Sequence, residues 1–230
     1  AVKECALPGG VFSLLFDAGH SVGVALVEHP LIRAGAFTGS QQGGLALLRA
    51  AQARPQPIPF FAEMGSVNPV FLFPAALAAR SESIAVGLHA SLTLGVGQFC
   101  TQPGVIFMVR GERTDAFLQR LATLVAATPA GTMLTKGMQI AYEHACVARS
   151  ALSGVKELAR ATDQTDPARV PAALFTVDAE TFLASSELSE EIFGPTSLVV
   201  LCQGLEDFAR CARHLPGQLT ATVHAESGGR

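Results

Sequence analysis

The chain has 230 residues, 49% of them apolar and only 15% charged, with a formal net charge of −3. That balance excludes a disordered chain, and the absence of any basic block excludes nucleic acid as a partner. The least charged stretch, Ser83 to Val109, is interrupted by His89, Gln98, Gln102, Pro103 and several glycines. It therefore reads as a buried helix, loop and strand, and a membrane partner is not expected.

In chain order, Val11–Phe16 is expected as a strand and Ser21–Glu28 as a helix stopped by Pro30. A strand over Ile32–Phe37 and a helix over Gln42–Ala53 follow. Ile58–Ala62 and Val70–Phe73 are expected as strands separated by a Gly-Ser-Val-Asn-Pro turn. A long helix runs from about Leu77 to Leu94, and Val105–Val109 is an apolar strand. Thr114–Ala127 and Met138–Ser153 are expected helices. Strands over Ala172–Val177, Leu198–Cys202 and Thr220–His224, with a helix at Asp207–His214, close the pattern. Continuous apolar strands alternating with helices imply an α/β fold with a mainly parallel sheet covered on both faces. A boundary is expected near Glu63, dividing residues 1–63 from 64–230.

Four segments carry residues with chemical reach. Phe37-Thr38-Gly39-Ser40-Gln41-Gln42-Gly43-Gly44 joins a strand to a helix. It is either a tight turn with Ser40 as helix cap, or a place where bare backbone amides meet phosphate oxygens. Glu63 follows a buried strand, as a solvated acid or as a ligand-site carboxylate. Cys100 lies in the loop Gly95-Val96-Gly97-Gln98-Phe99-Cys100-Thr101-Gln102-Pro103-Gly104, and is a small buried apolar residue or a nucleophile. Glu190-Glu191-Ile192-Phe193-Gly194-Pro195 puts two acids and an aromatic ring before a turn. The other cysteines, Cys5, Cys146, Cys202 and Cys211, form no CxxC pair and read as core thiols of a reducing cytoplasm. Cys211 and His214 lack further ligands nearby in sequence, so no metal is expected.

Taken in order, Leu7-Pro8-Gly9-Gly10-Val11-Phe12, His29-Pro30, the Phe-Thr-Gly-Ser turn, Glu63-Met64-Gly65-Ser66, Gly97-Gln98-Phe99-Cys100 and Glu190 to Pro195 resemble the aldehyde dehydrogenase superfamily over essentially the whole chain. Glu-Met-Gly-Ser-Val-Asn-Pro-Val-Phe, with Pro55, Pro57 and Pro59 before it, is similar to the branch containing α-ketoglutaric semialdehyde dehydrogenases and some fatty-aldehyde dehydrogenases. Gln41 stands where many relatives have Thr. The resemblance implies part of a Rossmann-type cofactor domain over residues 1–63 and an α/β thiol domain over 64–230.

It further implies oxidation of a small aldehyde, α-ketoglutaric semialdehyde ahead of a fatty aldehyde, to a carboxylate with NAD or NADP. Cys100 would add to the aldehyde, giving a thiohemiacetal and then a thioester that water activated by Glu63 hydrolyses. The Cys100 backbone N–H would steady the oxyanion, a donor of a kind worth roughly 3–4 kcal/mol. Gly39 and Ser40 would lie near the cofactor phosphates, Glu191 by the nicotinamide ribose, and Phe193 by the ring. A homo-oligomer is implied for the full-length protein. The family's upstream asparagine and lysine, and its closing segment, find no counterpart, so a fragment inactive alone is expected. A non-catalytic member and a thiol esterase without redox chemistry are the alternatives.

Overall fold

The computed structural model describes residues 2–162, 166 and 168–227. It divides into two compact units, Ala1–Gly65 and Ser66–Arg230.

In the first unit, helix α1 (Ser21–Glu28) precedes strand β1 (Gly35–Gly39), helix α2 (Gln41–Gln52) and strand β2 (Phe60–Met64). The two strands are parallel, with Thr38 opposite Glu63 and Gly39 opposite Met64. Ser40 caps α2, its hydroxyl oxygen accepting from the Gly43 N–H at 3.2 Å. A side chain at Gly44 would collide with Met64, so glycine there lets α2 lie close on β2. Both strands begin two to three residues later than the apolar runs suggested, because Gly35 pairs with Phe60 and leaves Ile32 outside the ladder. Val11–Phe16, expected as a strand, forms none. Among the described residues no strand pairs with it, and Phe12 and Phe16 stand exposed.

The second unit is built on strands β3 (Val70–Leu72) and β4 (Val105–Val109), with helix α3 (Pro74–Thr93) between them. Helix α4 (Thr114–Ala126), the two-residue strand β5 (Gly131–Thr132), helix α5 (Lys136–Ala151) and strand β6 (Lys156–Arg160) follow. Then come strands β7 (Arg169–Val170) and β8 (Ala173–Asp178) and helix α6 (Ala179–Ala184). Strand β9 (Thr196–Cys202), helix α7 (Leu205–His214) and strand β10 (Thr222–His224) complete the order. The six-stranded sheet runs β10-β3-β4-β9-β8-β6, parallel throughout except for β6 against β8.

Side chains alternate through strands β4, β9 and β8, as strand geometry requires, whereas the register of edge strand β6 shifts between Glu157 and Ala159. Val105 and Phe107 of β4, Leu198 and Val200 of β9, and Phe175 of β8 meet α5, α6 and α7 through Tyr142, Phe182 and Phe208. Ile106 and Met108, Val199 and Leu201, and Leu174 face the other way, against Ile84, Leu88 and Leu92 of α3 and Phe117, Leu121 and Val125 of α4. Each such side chain contributes about 1.5–3 kcal/mol on burial. With both faces covered, the strand ends and their loops are left to carry chemistry.

Candidate active site

In the first unit, Glu63 is exposed near the C-terminal end of β2, in register with Thr38. Gly39 ends β1 and Ser40 caps α2, so all three sequence-selected residues gather at one end of this strand pair. The carboxyl ends of parallel strands beside a helix N-terminus, with its unpaired amides, suit phosphate oxygens.

In the second unit, Cys100 is exposed, which rules out the buried apolar reading of that thiol. Cys146, Cys202 and Cys211 are buried as expected, but Cys5 is exposed and is no core thiol. Three successive residues at the start of the Cys100 loop, Gly95, Val96 and Gly97, have φ of 55°, 60° and 64°. That left-handed turn is unusual for a β-branched residue and is held by packing. Val96 lies against Gly131, where no side chain fits.

Asn68 is the hub of the loop. Its side-chain amide donates to the carbonyl oxygens of Cys100 and Gln102, both at 2.9 Å, and its Oδ1 accepts from the Thr220 hydroxyl at 2.9 Å. Gln102 in turn donates to the Thr196 carbonyl at 2.6 Å, tying the loop to the start of β9. Gln98 accepts from the Leu134 N–H at 2.8 Å and donates to the Gly95 carbonyl at 3.0 Å. The thiol thus projects from a backbone fixed on three sides.

The Glu190–Pro195 loop packs directly beside it. Gly97 lies so close to Gly194 and Pro195 that a side chain there would overlap their backbone, and Gly194 lies equally close on the Tyr142 ring. Glu191 and Phe193 are half-buried, and the Ser66 backbone N–H favours the ionised form of the Glu191 carboxyl. Burial nevertheless pushes the Glu191 carboxyl above its ordinary value. An acid desolvated in this way is suited to accept from the hydroxyls of a bound ligand. The structure therefore brings Cys100's loop together with the Glu191 and Phe193 loop in one unit.

Asn68, Ser66 and Arg149 hold these loops, and none was singled out in the sequence. Asn68 lies in the stretch that reads as a turn and carries the branch resemblance, with no role of its own assigned there. Arg149, 4% exposed, ends a helix as an ordinary basic residue would.

The parallel α/β sheet, the clamped exposed thiol and the acid-aromatic loop define a thiol-bearing α/β domain. The aldehyde dehydrogenase family model matches residues 1–230, and the chain belongs to that family. An α-ketoglutaric semialdehyde dehydrogenase of Azospirillum brasilense is 48% identical over 227 residues, covering 99% of this chain and 43% of that protein. One from Acinetobacter baylyi is 40% identical over 227 residues, covering 98% of this chain and 43% of that protein. The chain thus spans rather less than half the length of these relatives. A crystal structure of an NAD-dependent benzaldehyde dehydrogenase from Corynebacterium glutamicum shares the fold at TM-score 0.80 and 20% identity, over 97% of this chain and 49% of that one.

Proposed function

We propose that the protein carrying this chain oxidises α-ketoglutaric semialdehyde to the dicarboxylate with NAD or NADP, and that Cys100 is its nucleophile. The observation that carries the reading is an exposed thiol on a loop whose carbonyl is clamped by Asn68, packed through Gly97 against the loop bearing Glu191 and Phe193. Similarity to the two semialdehyde dehydrogenases supports the substrate choice.

The Cys100 thiolate adds to the aldehyde carbon, and the resulting oxyanion takes a hydrogen bond from the Cys100 backbone N–H. A loop that need not reorganise as charge develops is what such stabilisation requires. A nicotinamide, when bound, would supply the acceptor for the hydride that the thiohemiacetal carbon loses in becoming a thioester. Glu63 then takes a proton from the water that attacks the thioester carbon, and the thiolate leaves. A thiol serves both steps because it is strongly nucleophilic and departs readily.

Taken unit by unit, the chain offers groups of the chemistry a nicotinamide dinucleotide requires. The α2 N-terminus with Gly39 and Ser40 offers amides and a hydroxyl to phosphates, Glu191 offers a carboxylate to ribose hydroxyls, and the Phe193 ring offers a flat apolar surface.

The test is reduced-nicotinamide absorbance with NAD and NADP over a panel of short semialdehydes and long-chain aldehydes. Turnover is expected, highest with α-ketoglutaric semialdehyde. Preference for long-chain aldehydes would overturn the substrate choice. Ester hydrolysis with no aldehyde-dependent reduction would leave a thiol esterase instead.

A further inference from the structure

Helix α5 buries Tyr142, Cys146 and Arg149 at helical spacing, and the segment from Glu187 to Pro195 lies across that face. The Tyr142 ring sits under Gly194, and its hydroxyl donates to the Pro171 carbonyl at 2.7 Å. At the other end of the segment, Nη2 of Arg149 donates to the carbonyl of Glu190 at 2.9 Å and to that of Glu187 at 3.4 Å. These carbonyls close a short helical turn, Ser186–Ser189, so a cation there also meets the negative end of its peptide dipoles. Burial draws the guanidinium down to about 10, which leaves it cationic at neutral pH.

An aliphatic side chain would fill the same volume without desolvating a charge. What the guanidinium adds is direction, because it fixes the carbonyl immediately before Glu191. We propose that Arg149 is a positioning residue for the cofactor, setting the backbone from which Glu191 and Phe193 project. This rests on the reading of Glu191 given above. Arg149 is 4% exposed and acts through the loop carbonyls it holds, and the Cys100 loop is held by a separate set of bonds from Asn68, Gln98 and Gln102. Its loss therefore weakens cofactor binding and spares the thiol.

The experiment compares Arg149→Met, Arg149→Lys, Glu191→Gln and the Met/Gln double variant in the protein carrying this chain. Two readouts are taken: the KM for NAD and NADP, and the rate of Cys100 acylation by p-nitrophenyl acetate without cofactor. Arg149→Met is expected to raise the cofactor KM roughly tenfold and leave acylation unchanged. Lysine, whose ammonium has donors for both carbonyls, is expected to recover most of the loss. The double variant is expected to be no worse than the poorer single variant, because both act through one contact. If Arg149→Met does not fold, Arg149→Gln, with its neutral amide, takes its place in every comparison. An unchanged KM in Glu191→Gln would sink the reading of Glu191 itself. A raised KM in Glu191→Gln with none in Arg149→Met would overturn the role of Arg149 alone. Acylation falling in parallel with cofactor binding would mark Arg149 as a general structural group and equally overturn the proposal.

Discussion

The side-chain amide of Asn68 donates to the carbonyl oxygen of Cys100 at 2.9 Å, from a backbone position with φ of 43°. Asparagine tolerates that left-handed conformation better than other residues with a side chain, and its two N–H donors are both used. Asn68→Ala removes donors from two carbonyls at once, at a cost of about 2–3 kcal/mol, with about 1 kcal/mol more from the strained φ. Urea unfolding is expected to show that loss, and turnover is expected to fall with it. Asn68→Asp, which keeps the acceptor for Thr220 but has no donor when ionised, is expected to be no better than alanine at neutral pH.

Gly97 joins the thiol loop to the Glu191 loop by having no side chain. Gly97→Ala would put a Cβ into the Gly194 and Pro195 backbone and hold it at φ of 64°. A loss of about 2–4 kcal/mol is expected from the strain and overlap together. Thermal unfolding measures the stability change. Both Cys100 acylation and cofactor binding are expected to suffer, in contrast with Arg149→Met.

Much of the second unit was legible because its strands are buried on both faces. Val105–Val109 and Leu198–Cys202 are unbroken apolar runs and form strands where they were expected. Strand β6, Lys-Glu-Leu-Ala-Arg, was missed because it is a polar edge strand, antiparallel to β8, with its charges paired at the surface as in Glu157 with Arg160. Val11–Phe16 misled for the opposite reason: apolar periodicity carries no information about whether a partner strand is present. The site divides in the same way. Cys100 and Glu191 are singled out only through the family resemblance of their segments, whereas Asn68 to Cys100 and Arg149 to Glu190 are contacts between distant positions that no local pattern records.

Burial raises the Glu191 carboxyl above its ordinary value of 4.5, against the opposing pull of the Ser66 N–H. The folded protein therefore holds this proton more tightly than the unfolded chain. Below about 4.5 both states are protonated and the group is neutral to stability. As pH rises from there through the folded value, ionisation favours the unfolded chain and stability falls. Glu191→Gln cannot ionise, so its stability relative to the parent is expected to improve from acidic to neutral pH, followed by urea midpoints. A constant difference across that range would contradict the assignment.

Cys146 and Cys202 are buried, and replacing either by alanine is expected to cost about 1 kcal/mol of stability while leaving most turnover. Thermal unfolding and steady-state rates at saturating substrate separate the two effects.

The central claim is that Cys100 carries the acyl group. The direct measurement is rapid acid quenching of the protein during turnover of α-ketoglutaric semialdehyde with NAD or NADP, followed by peptide mass spectrometry. The account predicts a thioester on the peptide containing Cys100, absent without cofactor and absent in Cys100→Ala, which shows no turnover. Aldehyde oxidation persisting in Cys100→Ala, or an acyl group found only at another cysteine, would contradict it.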